Sequence, residues 1–308
     1  MANDLGALRW SSGVTAAKPS VYYDLVRPAA ETDKPAIVCV HGGAHTGQCW
    51  ELTPDGRPGW AVRFAEWGYP VYVPDWPGVG RSAFVPMAEM SGALVCKGIG
   101  ALLESLERPA ILMTHSMSGA LGWKILEEYG ANIAAVVAVA PGPPGNIQPE
   151  PAVLSKGEDF VEVRGVALTW KLPLNAPMAP SDALIKDKLI GRSTRFPWQA
   201  LETYRGMLHA IAPRVIYERQ NVGGSQLKVA DTASYRDKEI LIVTGEFDTD
   251  HPREVDGAIA AWLREHGAKV DYWFLSDLGI AGNGHMVMSE DNSDAVAHLI
   301  AGWIAQRG

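Results

Sequence analysis

Cysteine is scarce in this chain: Cys39, Cys49 and Cys96 are three in 308 residues, odd in number and widely spaced. That excludes a disulfide framework and a thiolate zinc site. Long hydrophobic runs are missing, so no segment approaches the length that spans a bilayer. No basic start leads into an apolar stretch near residue 1, and a cytoplasmic location is the expectation. Positive charge is not in excess. The net charge of −8 argues against nucleic acid or an anionic membrane as partner. What is present is ordinary for a globular protein, with 47% hydrophobic and 20% charged residues, enough for one large domain or a domain with an insertion. Eleven tryptophans are many for this length.

One stretch organises the rest: Ile111-Leu112-Met113-Thr114-His115-Ser116-Met117-Ser118-Gly119. An apolar run of strand length ends at Thr114, and Leu121, Ile125 and Leu126 mark a helix after it. Between them stands Ser116, with small Thr114 and Ser118 two residues to either side. A chain that reverses this sharply from strand to helix tolerates only small residues at those flanks, which is the requirement of a nucleophile elbow. The competing reading is a buried turn serine bonded to local backbone.

Around the elbow, strands and helices alternate. Val21 to Val26 reads as an edge strand. Pro35 to Val40 reads as a strand buried on both faces and ends in His41-Gly42-Gly43-Ala44-His45. Trp60 to Trp67 is helical. Pro70 to Pro74 is a further strand that opens into the glycine-punctuated turn Asp75 to Ser82. Val95, Ile99, Leu102, Leu103 and Leu106 mark one helix face, and Ile133 to Val139 is the next strand. This alternation implies an α/β chain with a mostly parallel central sheet. It stops at Pro141-Gly142-Pro143-Pro144-Gly145. From 146 to 236 no buried-strand run appears, only short helical pieces rich in Trp, Tyr, Met and Pro, which suggests an inserted helical cap or lid. The core is therefore expected to comprise residues 1–145 and 237–308. In its second part Ile240 to Thr244 and Val270 to Leu275 are strands, and a last helix buries Val296, Leu299, Ile300, Trp303 and Ile304.

His41-Gly42-Gly43, Asp75-Trp76-Pro77-Gly78-Val79-Gly80-Arg81-Ser82, the elbow and Gly282-Asn283-Gly284-His285-Met286 occur in the order of the α/β-hydrolase fold. The chain resembles that superfamily across nearly its whole length. Thr46 to Arg57 and the Asn283-Gly284-His285-Met286 box make it most similar to a branch of serine esterases that includes one acting on halogenated cyclic esters. In that branch the acid of the triad is a Glu just before a proline after the sixth strand. The matching position here, before Pro141, is Ala140. The commoner superfamily position lies after the next strand, where Gly245-Glu246-Phe247-Asp248 offers two carboxylates; Asp248 is the first choice and Glu246 the second.

The implied chemistry is acyl transfer. Ser116 attacks, His285 takes its proton and later returns it to the leaving group, and the acid orients the imidazole. Met117, at the helix start, and Gly43 or Ala44, in the turn after the buried strand, offer the N–H donors of an oxyanion hole. His41 is expected to brace that turn, Asp75 and Arg81 to form a loop-bracing pair, and His115 and His251 to be structural. Trp50, Trp76, Trp170, Trp198 and Tyr204 are candidates for an apolar pocket wall around a bulky, largely apolar small-molecule substrate. No metal or cofactor is called for, and a homodimer stays open. Carboxylic ester or lactone hydrolysis is the leading expectation. Amide, carbamate or carbon–carbon bond hydrolysis with the same triad, or ligand binding without turnover, are the alternatives.

Overall fold

The structure, a computed structural model, describes residues 8–307. Eight strands form its central sheet: β1 (Leu8–Val14), β2 (Tyr22–Pro28), β3 (Ile37–Val40), β4 (Val71–Pro74), β5 (Ala110–His115), β6 (Ile133–Val139) and, after a long interval, β10 (Glu239–Thr244) and β11 (Lys269–Phe274). Their spatial order is β1-β2-β4-β3-β5-β6-β10-β11. From β4 onward every pairing is parallel. Helices α1 (Gln48–Glu51), α2 (Trp60–Glu66), α3 (Gly92–Glu104), α4 (Met117–Tyr129), α7 (Arg253–Glu265) and α8 (Ser293–Ala305) make the crossovers and the closing layer. β3 and β5 are buried at every residue because helices cover both faces. Each Val, Ile or Leu so buried contributes about 1.5–3 kcal/mol relative to exposure.

Register decides where the loops end up. Val40 pairs with Thr114, Thr114 with Ala138, His115 with Val139, and Val139 with Val243. The C-terminal ends of four adjacent strands are therefore level, and the loops leaving them at His41, Ser116, Ala140 and Gly245 converge on one edge. In a parallel sheet this edge is the natural place for a site.

Three expectations need correction. The strand containing Val21 to Val26 is not the edge, because β1 pairs outside it from Leu8 opposite Pro28 to Val14 opposite Tyr22. β1 is mostly solvated and lacks alternation, so its pattern was silent. Leu299 of α8 is 40% exposed rather than buried. The segment between β6 and β10 is not purely helical. It opens on a three-stranded antiparallel sheet of β7 (Val153–Lys156), β8 (Phe160–Arg164) and β9 (Thr169–Pro173). Only one face of β8 and β9 is covered, by way of Val161, Val163, Trp170 and Leu172, so no continuous apolar run betrays them. A π-helical stretch (Leu184–Ile190), α5 (Leu201–Gly206) and α6 (Pro213–Arg219) follow, with α6 packed on β9 and α3. The three thiols are buried, at 0% (Cys39), 3% (Cys49) and 1% (Cys96) exposure, and burial pushes each well above its ordinary pKa. Among the described residues no helix is long and apolar enough to cross a membrane.

Candidate active site

Ser116 joins β5 directly to α4 with φ 55° and ψ −117°, a conformation a side chain tolerates at a cost of about 1–3 kcal/mol. The surroundings hold it there. Its N–H donates to Val139 O at 3.0 Å, and its carbonyl accepts from Gly142 N–H at 2.9 Å. Ser118 does more than stay small. Its Oγ accepts from His115 N–H at 2.8 Å and lies 2.9 Å from both the Val40 and the His115 carbonyl oxygens, tying the elbow to the end of β3. A glycine there could not do this.

His285 lies between Ser116 and Asp248, with Nε2 2.9 Å from Ser116 Oγ and Nδ1 2.7 Å from Asp248 Oδ2. The carboxylate can only accept, so Nδ1 carries the proton and Nε2 presents its lone pair to the serine hydroxyl. The other oxygen, Asp248 Oδ1, accepts the N–H groups of Asp250 at 3.0 Å and His251 at 3.1 Å, which fixes the carboxylate plane. Glu246 is partly exposed and makes no hydrogen bond to His285. Ala140 sits at φ 43°, and the carboxylate its position lacks comes from the loop after β10.

That loop and the histidine loop touch. Phe247 N–H donates to Asn283 O at 2.8 Å, and a side chain at Gly245 would collide with the Asn283 and Gly284 carbonyls. His285 is held from behind as well. His115 Nε2–H donates to its carbonyl at 3.0 Å, and Glu290 accepts from Gly284 N–H at 2.7 Å, from Asn283 and from Ser193. Burial pushes the Glu290 carboxyl up to about 7 despite those donors.

Burial, followed by the cations Lys188 and His251, drives the His285 imidazole well below its ordinary pKa, so it rests as a neutral base. Burial raises the Asp248 carboxyl. His251 stacks on His285 with ring centroids 5.1 Å apart and places Nδ1 2.9 Å from Asp256 Oδ1, while Thr244 Oγ1 donates to Asp256 Oδ2. Burial opposes protonation of His251, but Asp256 and Asp248 outweigh it and raise the pKa. Asp248, His251 and His285 bring one potential ligand atom each within 4.8 Å of one another. Apart from His251 Nε2 and Asp248 Oδ1, which takes the backbone N–H groups, their ligand atoms face each other, Ser116 or Asp256, an arrangement suited to proton transfer.

Opposite the histidine, the turn after β3 is braced at each step. His41 accepts Trp76 N–H on Nε2 at 3.1 Å, so its Nδ1–H donates to Gly42 O at 2.8 Å. Asp75 accepts from Gly47 N–H at 2.8 Å and from the Arg81 backbone and guanidinium at 2.8 and 3.0 Å. His45 Nδ1–H donates to Gly43 O at 2.8 Å, and its Nε2 accepts from the Tyr204 hydroxyl at 3.1 Å. N–H and C=O point oppositely across a trans peptide, so anchoring Gly43 O to His45 turns the Ala44 N–H the other way. Ala44 lies at φ 62°, and its N–H meets no carbonyl among the described residues. Met117 opens α4, so its N–H has no acceptor one turn back.

Gly43, Ala44, Ser116 and Met117 face one cavity of about 30 Å³. Trp170 also lines it; Trp50, Trp198 and Tyr204 do not. Trp50 is wholly buried in the core against Trp60 and His115, and Trp198 is 46% exposed on Phe196. Trp76 stacks on His41. Tyr204 acts through His45, as described. The remaining lining comes from residues that the sequence did not assign to a pocket: Leu184, Lys188 and Leu189 of the π-helical stretch, Ile211, Ile216, Arg219 and Gln220 at α6, and Asp250. A helical period does place Ile216, Arg219 and Gln220 on one face, and that was the available signal. Beyond Arg219, Gln220 and Asp250, which border both spaces, the cavity gives way to an outer cleft of about 520 Å³.

A family model described as alpha/beta hydrolase family matches residues 37–299. The chain is 24% identical to a probable secreted lipase of Fungal sp. (strain ATCC 74256), an alignment that covers 94% of this chain and 86% of that one. Among solved structures it is similar to a thermophilic esterase from Thermogutta terrifontis, with a TM-score of 0.62, 16% identity and coverage of 97% and 98%. It is also similar to the carboxylesterase CesB from Bacillus subtilis, with a TM-score of 0.61, 15% identity and coverage of 98% and 94%.

Proposed function

Since the chain belongs to the alpha/beta hydrolase family, we propose that it hydrolyses carboxylic esters through an acyl-enzyme formed on Ser116. The observation that carries this reading is the unbroken relay Ser116–His285–Asp248, facing a cavity that also receives two free N–H groups. Ser116 Oγ attacks the ester carbonyl while His285 Nε2 takes its proton. The carbonyl oxygen becomes an oxyanion, which the Ala44 and Met117 N–H groups stabilise. The imidazolium then protonates the leaving alcohol, and Asp248 offsets its charge. Water repeats the sequence with His285 as base and releases the acid. The small inner cavity suits a slender group beside Ser116, and the bulk of a larger substrate stays in the outer cleft. Resemblance to the branch acting on halogenated cyclic esters puts lactones among the substrates to try.

A fluorophosphonate probe should label the native protein and not Ser116→Ala. The native protein should turn over members of a panel of esters and lactones, and Ser116→Ala should lose nearly all of that turnover with its thermal midpoint little changed. Unlabelled native protein, or a variant that keeps substantial turnover, would remove Ser116 as nucleophile.

A further inference from the structure

Two cations border the space in front of Ser116, and their situations differ. Lys188, on the π-helical stretch, is buried and paired: its Nζ lies 3.0 Å from Asp250 Oδ2. Arg219, at the end of α6, is partly buried, yet no carboxylate among the described residues lies within 4.0 Å of its guanidinium. Its one side-chain hydrogen bond among the described residues is a long one, 3.4 Å to the neutral Gln148 Oε1. The guanidinium lies against the backbone that packs behind Ser116. A side chain on Gly142 would stand 2.7 Å from Arg219 Nε and 2.8 Å from Cζ, and Gly142 N–H donates to Ser116 O. Arg219 also lines both the inner cavity and the outer cleft. Desolvation lowers the pKa of its guanidinium, and Asp250, which borders the same space, and Asp256 oppose that shift only from beyond ion-pair reach.

We propose that Arg219 determines specificity by pairing with an anionic oxygen group on the substrate, placing that group where the inner cavity meets the outer cleft. The favoured substrates are half-esters, in which a short chain separates the scissile ester from a free carboxylate. The planar fork of Arg219 accepts a carboxylate through two parallel N–H···O bonds, a geometry lysine does not offer. The inference rests on the ester-hydrolase reading and adds the substrate class.

The test compares monomethyl succinate, glutarate and adipate with the methyl esters of the matching carboxamides, which have nearly the same shape and no charge. At one or more chain lengths kcat/KM should favour the carboxylate tenfold or more. Arg219→Met should reduce that preference at least tenfold, and Arg219→Lys should keep part of it. Thermal melts show that the variants are folded. No preference at any length, or a preference that survives Arg219→Met, overturns the subsite. Turnover of none of these esters would count against the ester reading instead, so a binding experiment addresses the subsite alone. Glutarate, followed by calorimetry, should bind Ser116→Ala protein and not Ser116→Ala/Arg219→Met. Failure to bind the first, or equal binding to both, overturns the proposal. Inorganic phosphate in the same cell tells whether the fork prefers a carboxylate; stronger Arg219-dependent binding of phosphate would overturn the half-ester assignment.

Discussion

Asp248 meets His285 through one 2.7 Å contact, while Glu246, two residues earlier on the same loop, meets it through none. Asp248→Asn should therefore lower kcat by about 10⁴, the loss known for a triad whose acid becomes an amide, with little change in stability. Glu246→Gln should stay within about twofold of the native rate. Steady-state kinetics on one good ester checks both, and the reverse ranking would give the role to Glu246. The protonation state of His285 sets the pH profile. Its pKa is lowered by burial and neighbouring cations, and only the neutral ring accepts the serine proton. Activity is then full above the depressed value and lost as pH falls through it, so the acidic limb of kcat/KM should lie below the ordinary imidazole value of about 6.5. A limb at or above that value, measured on an uncharged ester, would contradict the assignment.

At the scale of elements, α5 reaches across to the turn after β3 through Tyr204 and His45. Tyr204→Phe removes the hydroxyl that selects the His45 tautomer, which frees the Gly43 carbonyl to swing. We expect kcat to fall about tenfold, short of the 10²–10³ that follows outright loss of an oxyanion donor, with KM little changed. Stability should drop by only about 1 kcal/mol. An unchanged kcat would show that the turn holds without this brace. Such links explain what sequence could and could not disclose. Ser116 and Asp248 were legible because each sits in a short turn of small residues or glycine just after a strand, and His285 because it follows glycines in the loop beyond β11, and that chemistry is local. Tyr204 was legible as an aromatic near the site, but its role depends on which side of α5 faces the core. β7 to β9 escaped because β7 is exposed at every residue and β8 and β9 are five-residue strands with one wet face, so none carries a continuous apolar run. A helical period groups Arg219 with Ile216 and Gln220, but that this face and Lys188 meet the cavity depends on packing of the inserted segment, which no local pattern encodes.

Across the whole molecule, that segment is fastened to the core beside the acid loop. Lys188 and Asp250 pair with side-chain exposures of 8% and 11%, and Thr249 Oγ1 donates to Asp187 O at 2.7 Å. Burial would raise the Asp250 carboxyl, but Lys188 holds it well below the usual range. Asp250→Asn leaves a buried ammonium unpaired and should cost about 3–5 kcal/mol, while Lys188→Met/Asp250→Asn should recover most of that loss. Urea denaturation of both variants measures the difference, and equal stability would mean that the pair is already solvated. The same depth of packing governs sulfur. Cys39, Cys49 and Cys96 are sealed in the core as thiols, and burial holds them protonated. The thiolate is the form that oxidants, alkylating reagents and disulfides attack, and here it is both rare and out of reach. Carrying the folded chain from a reducing to an oxidising medium therefore leaves these three cysteines as thiols, and the compartment in which it works is not written in them.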